Sequence, residues 1–158
     1  MKRLIIPLIA FLVISACNQE NKGTANLRNE QPEMIDTLCF VRLDGLQNQD
    51  TTSLRLVING ENVTGQFASF PDQKDARIGT INGTKTGNLI KGMWRYQQEG
   101  IVDSIGFEFK LQGDKLLQKQ SNFDTNTGRE SLSDTSAFSI EFLKQDCRSA
   151  DPRIIKTY

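Results

Sequence analysis

The sequence predicts an all-β domain: an antiparallel up-and-down barrel or strongly coiled meander of about eight strands, lipocalin- or avidin-like in architecture. Three observations carry that expectation. Apolar and polar residues alternate at period two in one segment after another. Short turn signals such as Asn59-Gly60 and Thr86-Gly87-Asn88 separate those segments at regular spacing. No stretch after residue 17 carries a helical period.

The first strand, "LCFVRL", carries Cys39. "TSLRLVIN" aligns Leu54, Leu56 and Ile58 on one face and runs into "NGEN" at 59–62, a tight hairpin turn. "NVTGQF" returns with Val63, Gly65 and Phe67 together, and "IGTING" aligns Gly79, Ile81 and Gly83. After the turn at 86–88, "IKGMWRY" sets Ile90, Gly92, Trp94 and Tyr96 against a polar face of Lys91 and Arg95. "QQEG" at 97–100 turns the chain into "SIGFEFKL", with Ile105, Phe107 and Phe109 inward and Glu108 and Lys110 on a solvated face. "QGDK" leads to Leu116 and Leu117, and "AFSIEFL" aligns Phe138, Ile140 and Phe142. Residues 121–135 read as a polar loop, and the tail after Cys147 as loosely held apart from Arg153-Ile154-Ile155. A meander of this length hides its edges best by closing on itself.

The chain opens differently. Lys2 and Arg3 precede an apolar run from Leu4 to Ile14. That run is shorter than the roughly 20 residues a membrane span needs, and it matches the core of a secretory signal. Ile14-Ser15-Ala16-Cys17 resembles the bacterial lipobox. The resemblance implies cleavage before Cys17 and lipid on its sulfur, with the membrane as a partner through at least two acyl chains. Asn18 is not the Asp that favours inner-membrane retention in enteric bacteria, so the expected location is the cell envelope at the outer membrane. The organisation is a signal peptide at 1–16, lipidated Cys17 with a polar tether to residue 35, one β domain at 36–148 and a C-terminal tail at 149–158. A flexible tether of that length reaches about 20–25 Å.

Cysteine arithmetic adds to this. The chain has 3 cysteines, an odd number for an exported protein. With Cys17 taken by lipid, Cys39 and Cys147 remain, either as a bridge in an oxidising compartment or as two buried thiols.

Composition excludes several functions. The 19 basic and 19 acidic residues cancel, and removing Lys2 and Arg3 leaves a net charge near −2. That balance gives no electrostatic case for nucleic acid. Histidine is absent, which removes Ser-His-Asp catalysis, His-bearing zinc sites and His-ligated haem. No cofactor and no catalytic residue is expected.

Among candidate residues, Trp94 and Tyr96 share an inward face and would floor a ligand pocket or fill the core. Gly79, Gly83 and Gly92 would open a cavity or let neighbouring backbone approach. "DTNTGRESLSD" at 124–134 fails as a calcium loop, since Arg129 and Thr135 stand where Gly and an acid belong. That leaves only a looser cation contact at Asp124 and Asn126. Glu108 and Glu141 are not brought together by spacing, as carboxylate-based hydrolysis would require. "NVT" at 62–64 and "NGT" at 82–84 fit a glycan acceptor but read better as turns.

Cys39 at the first strand, "GTINGTKTGNLIKGMWRYQQEG" and the closing "FLKQDC" resemble a group of small Bacteroidetes lipoproteins. That group shows a strand beginning with Cys, a G-x-I-x-G strand, a G-[DN]-x-[LI] turn, a Q-x-E-G turn and a final K-x-D-C. The resemblance spans most of 36–147. It implies an envelope location and a bridge between Cys39 and Cys147, and it carries no catalytic residue across. The expectation is an envelope lipoprotein with a non-catalytic β domain that binds a protein partner or small ligand. A carboxylate-based hydrolase and a structural coat protein are the alternatives.

Overall fold

The computed structural model describes residues 35–155. The expected signal peptide, Cys17 and the tether before Ile35 lie outside the described residues, as do residues 156–158. Seven strands follow one another as a meander: β1 (Ile35–Asp44), β2 (Asp50–Asn59), β3 (Asn62–Phe70), β4 (Arg77–Thr86), β5 (Leu89–Gln98), β6 (Ile101–Gln112) and β7 (Lys115–Lys119). A small hairpin of β8 (Ser121–Asp124) and β9 (Arg129–Leu132) then leaves the sheet, and β10 (Phe138–Gln145) returns to it. β10 inserts between β7 and β1, so eight antiparallel strands close a barrel. The sequence expectation of an eight-stranded up-and-down barrel is met.

The turns at one end are built alike. Gly60-Glu61, Gly87-Asn88 and Gly113-Asp114 each join two strands through two residues, and each glycine has φ near +60°. Positive φ at the first central position is the II′ pattern, which suits the right-handed twist of hairpin strands. Asn59-Gly60 therefore marks the turn, although Gly60-Glu61 forms its centre.

The closing seam is the shortest ladder. β1 and β10 pair through three residues, whereas β1 and β2 pair through ten. The Cys39–Cys147 disulfide lies beside that seam, tying β1 to the residues just after β10 with a Cα–Cα distance of 5.1 Å. This spacing is ordinary for a disulfide.

Inside, Phe40, Leu54, Leu56, Val63, Ile81, Ile90, Phe109, Leu116 and Phe142 are almost fully buried in one apolar cluster. Phe67 sits at its centre, edge-on to Phe109 and Phe142 and tilted against Trp94 with centroids 4.4 Å apart. The outward positions Thr64, Asn82, Lys91, Arg95 and Lys110 are exposed. That polarity is the reverse of a transmembrane barrel, which is apolar outside and polar within.

The inward glycines serve close approach. A Cβ on Gly79 would lie 1.9 Å from the Arg95 carbonyl oxygen, and one on Gly92 would lie 2.6 Å from the Gly83 Cα. Their missing side chains let β4 and β5 press together and coil tightly; they do not open a cavity at that point.

Three expectations change. Residues 121–135 are not simply a loop, because β8 and β9 pair across Asp124–Arg129 with Leu132 resting over Gly106. The tail is packed as well. Ala150, which caps a 3-10 turn (Cys147–Ser149), and Ile154, on a short helix α1 (Pro152–Ile155), join Cys39, Ala68 and Phe70 in a second buried cluster. Asn82 of "NGT" stands in mid-strand, facing Met93 of β5, and does not make a turn.

Candidate functional site

The inward face of the barrel changes chemistry along its axis. Toward the end of the three tight turns, the buried inward positions Ile58, Val63, Ile90, Phe109 and Leu116 are apolar. At the opposite end, six strands each carry a polar inward residue above the core: Arg42 on β1, Thr52 on β2, Ser69 on β3, Arg77 on β4, Gln98 on β5 and Gln118 on β7, with Asp44 and Asp50 one step further out on β1 and β2. These six line a cavity of about 290 Å³ that opens to solvent at the mouth. Trp94, Phe67 and Phe142 form its floor, and Pro71, Lys74 and Asp75 from the β3–β4 loop overhang it. The size is at the lower bound for small-molecule pockets.

The floor is rigid. The Trp94 indole N–H donates to the Phe67 carbonyl at 3.0 Å, which fixes the ring against the core. Trp94 is 6% exposed, so it serves as core and as pocket floor at once. Tyr96 stacks against Trp94 with centroids 4.5 Å apart, and the Arg77 guanidinium lies 5.2 Å from its ring centre. Tyr96 is not part of the cavity wall; it borders a shallower hollow with Glu99 and Asp103 on the other side of Gln98. Burial holds its phenol above the ordinary value, against the lowering effect of Arg77.

The cations of the wall are oriented by neighbours. Arg77 donates to Gln98 Oε1 and to Glu130 Oε1, both at 2.8 Å, and Ser121 Oγ donates to the second oxygen of Glu130. Glu130 arrives from β9, so the small hairpin is tied to the mouth by a carboxylate. Arg42 donates to Asp44 at 2.7 Å. Both pairs are about one-third exposed. The rim acids serve the scaffold. Asp50 accepts the Asp72 N–H, Asp103 accepts the Ser104 N–H, and the Asp75 carboxyl hydrogen-bonds Glu99 and raises its pKa. Glu99 takes positive φ, as the two-residue Glu99-Gly100 turn demands.

The carboxylates considered from the sequence are not brought together. Glu108 does not face open solvent: its side chain is 15% exposed, 3.3 Å from Lys91 Nζ and 3.5 Å from Lys119 Nζ. Lys119 is itself buried beside the Phe138 ring. Glu141 pairs instead with Lys115 at 2.8 Å. Asp124 caps its own turn, accepting from the Asn126 N–H and Thr127 Oγ1, and these bonds lower its pKa.

What the mouth can do follows from its inventory. Two guanidiniums, two carboxamides and two hydroxyls can donate hydrogen bonds to one guest above an aromatic floor. Of this site, sequence reasoning found Trp94 and missed the ring above it. The signal was present: carrying the alternation one step past Phe40, Phe67, Gly79, Tyr96 or Leu116 lands on a polar residue each time, always at the same end of the barrel. Compared with protein families, with curated proteins and with solved structures, the chain matches none.

Proposed function

We propose that this chain is a lipid-anchored protein of the cell envelope whose barrel is a non-catalytic binding module, and that its guest is a small molecule held in the mouth. The anchor is supported by the Lys2-Arg3 start, the short apolar run and the lipobox-like Ile14-Ser15-Ala16-Cys17, together with the likeness to small Bacteroidetes lipoproteins. An outward face of Lys, Arg, Thr and Asn gives the barrel no hold of its own on a bilayer, so attachment falls to the lipid.

One observation carries the binding reading. Polar inward residues of six strands surround an open cavity at one end, above a core that is otherwise continuous. A barrel with a purely structural role is best filled with apolar side chains throughout, because inward polar groups must find partners or water. A polar ring around an open cavity is a binding arrangement.

The test uses the small-molecule fraction extracted from the envelope of the producing cells. That fraction should raise the melting temperature of the purified protein, and the cavity-filling Ser69→Phe variant should respond far less. An equal response of both proteins, or none from either, overturns the reading.

A further inference from the structure

We infer that the guest is a small organic anion with a flat apolar body, its acidic group on the cations of the wall and its body on the aromatic floor. The inference rests on the binding reading above and names the ligand class for the same cavity.

The two charged residues that line the cavity wall, Arg42 and Arg77, are both cations, with Asp44 and Asp50 one step further out at the rim. Arg42 and Arg77 face inward from β1 and β4, and Lys74 overhangs them from the β3–β4 loop without an ion-pair partner among the described residues. The uncharged members, Thr52, Ser69, Gln98 and Gln118, all carry hydrogen-bond donors. Asp75 is the single acid of the lining, and it stands beside a second carboxylate, Glu99, at the rim. The molecule itself shows the chemistry these guanidiniums accept. Arg77 holds the Glu130 carboxylate at 2.8 Å and Arg42 holds that of Asp44 at 2.7 Å. Both pairs are partly open to solvent, a setting in which ion pairs are weak and exchangeable. A guest carboxylate, sulfonate or phosphate can share or displace these single N–H···O contacts. The floor sets the rest of the guest. Trp94 and Phe67 pack on one another and Trp94 also on Tyr96, so with 6% and 3% of their surface exposed they offer a small, rigid apolar patch below the cations. A volume of about 290 Å³ limits the body to one or two fused rings or a short branched chain.

The experiment compares three probes with one ring system: 1-naphthoate, its neutral carboxamide and 1-naphthylmethylammonium. Trp94 is the sole tryptophan, so the protein gives one indole N–H resonance in a ¹⁵N-correlated NMR spectrum, placed at the cavity floor. The expected result is that naphthoate shifts this resonance to saturation, that the carboxamide binds at least tenfold more weakly, and that the ammonium leaves it unmoved. Lys74→Gln, which breaks no ion pair among the described residues, should weaken naphthoate several-fold, and the Arg42→Gln/Arg77→Gln pair should weaken it at least tenfold. The carboxamide should lose much less affinity than naphthoate in each of these variants. Equal binding of naphthoate and carboxamide overturns the anion assignment while leaving a ligand cavity standing. Binding by none of the three overturns both the assignment and the cavity reading on which it rests.

Discussion

Reducing the Cys39–Cys147 bridge should cost this barrel about as much stability as the strongest single device in its fold. The bridge closes a chain of 108 residues. On the chain-entropy relation, a loop of 108 residues corresponds to about 16 cal/mol/K, or about 5 kcal/mol at 25 °C, of freedom restored to the unfolded chain on reduction. The native state has little to offset this at the same place, since only three residue pairs join β1 to β10. A domain of roughly 120 residues gains about 0.25 kcal/mol/K of entropy on unfolding, so the melting temperature should fall by roughly 15–20 °C. The assay is denaturant unfolding of the protein with and without a thiol reductant. Reduction keeps both sulfur atoms in place, so packing around buried Cys39 is not confounded with the crosslink. Hydrogen exchange should show the β1 and β10 amides opening first in the reduced form. A loss below about 1 kcal/mol, or seam amides that stay as protected as those of β4 and β5, would refute the claim that the bridge secures the closing seam.

Other outcomes follow from the same contacts. Gly92→Ala should destabilise the barrel by about 2–3 kcal/mol in chemical denaturation, because its Cβ would meet the Asn82 carbonyl and the Gly83 Cα. Phe109→Ala, at the centre of the inner cluster, should cost about 3–5 kcal/mol by the same measurement. Arg77→Gln should loosen the small hairpin, seen as faster hydrogen exchange at β8 and β9 while β4 and β5 stay protected. The tail should undock in acid. Hydrogen bonds from Arg153 hold the Asp151 carboxyl below its ordinary pKa, so that pair stabilises the tail above about pH 4 and loses its contribution as pH falls through the depressed value. Arg153 stacks on Phe70, 3.3 Å from the ring centre, so the Phe70 ring protons should shift in NMR spectra on acidification below that range. An unchanged Phe70 environment down to pH 2 would contradict the link.

Much of the barrel was legible in the residues because each strand is buried on one face only. Alternation such as that of Ile90, Trp94 and Tyr96 then states which face is inside, and a glycine marks each tight turn. The β8–β9 hairpin escaped because it meets the barrel through Leu132 and the Glu130 carboxylate and has no apolar face to alternate. The tail escaped for the same reason: Ala150 and Ile154 are too few to make a period, and they are buried only because the bridge carries them onto β2 and β3. Glu108 read as solvated because alternation reports the inner face and is silent about lysines that fold over the outer one. The polar ring was hidden by attention to apolar runs. Arg42, Ser69 and Gln98 each stand at a strand end, where a polar residue looks like the start of a turn.

Native mass spectrometry of the protein released intact from the envelope in mild detergent tests the whole account most directly. The predicted species begins at Cys17, carries the added mass of its acyl chains, lacks the two hydrogens lost on forming the Cys39–Cys147 bridge, and holds one small acidic molecule that leaves on collisional activation. A chain still bearing residues 1–16, with free thiols and no added mass, would contradict it.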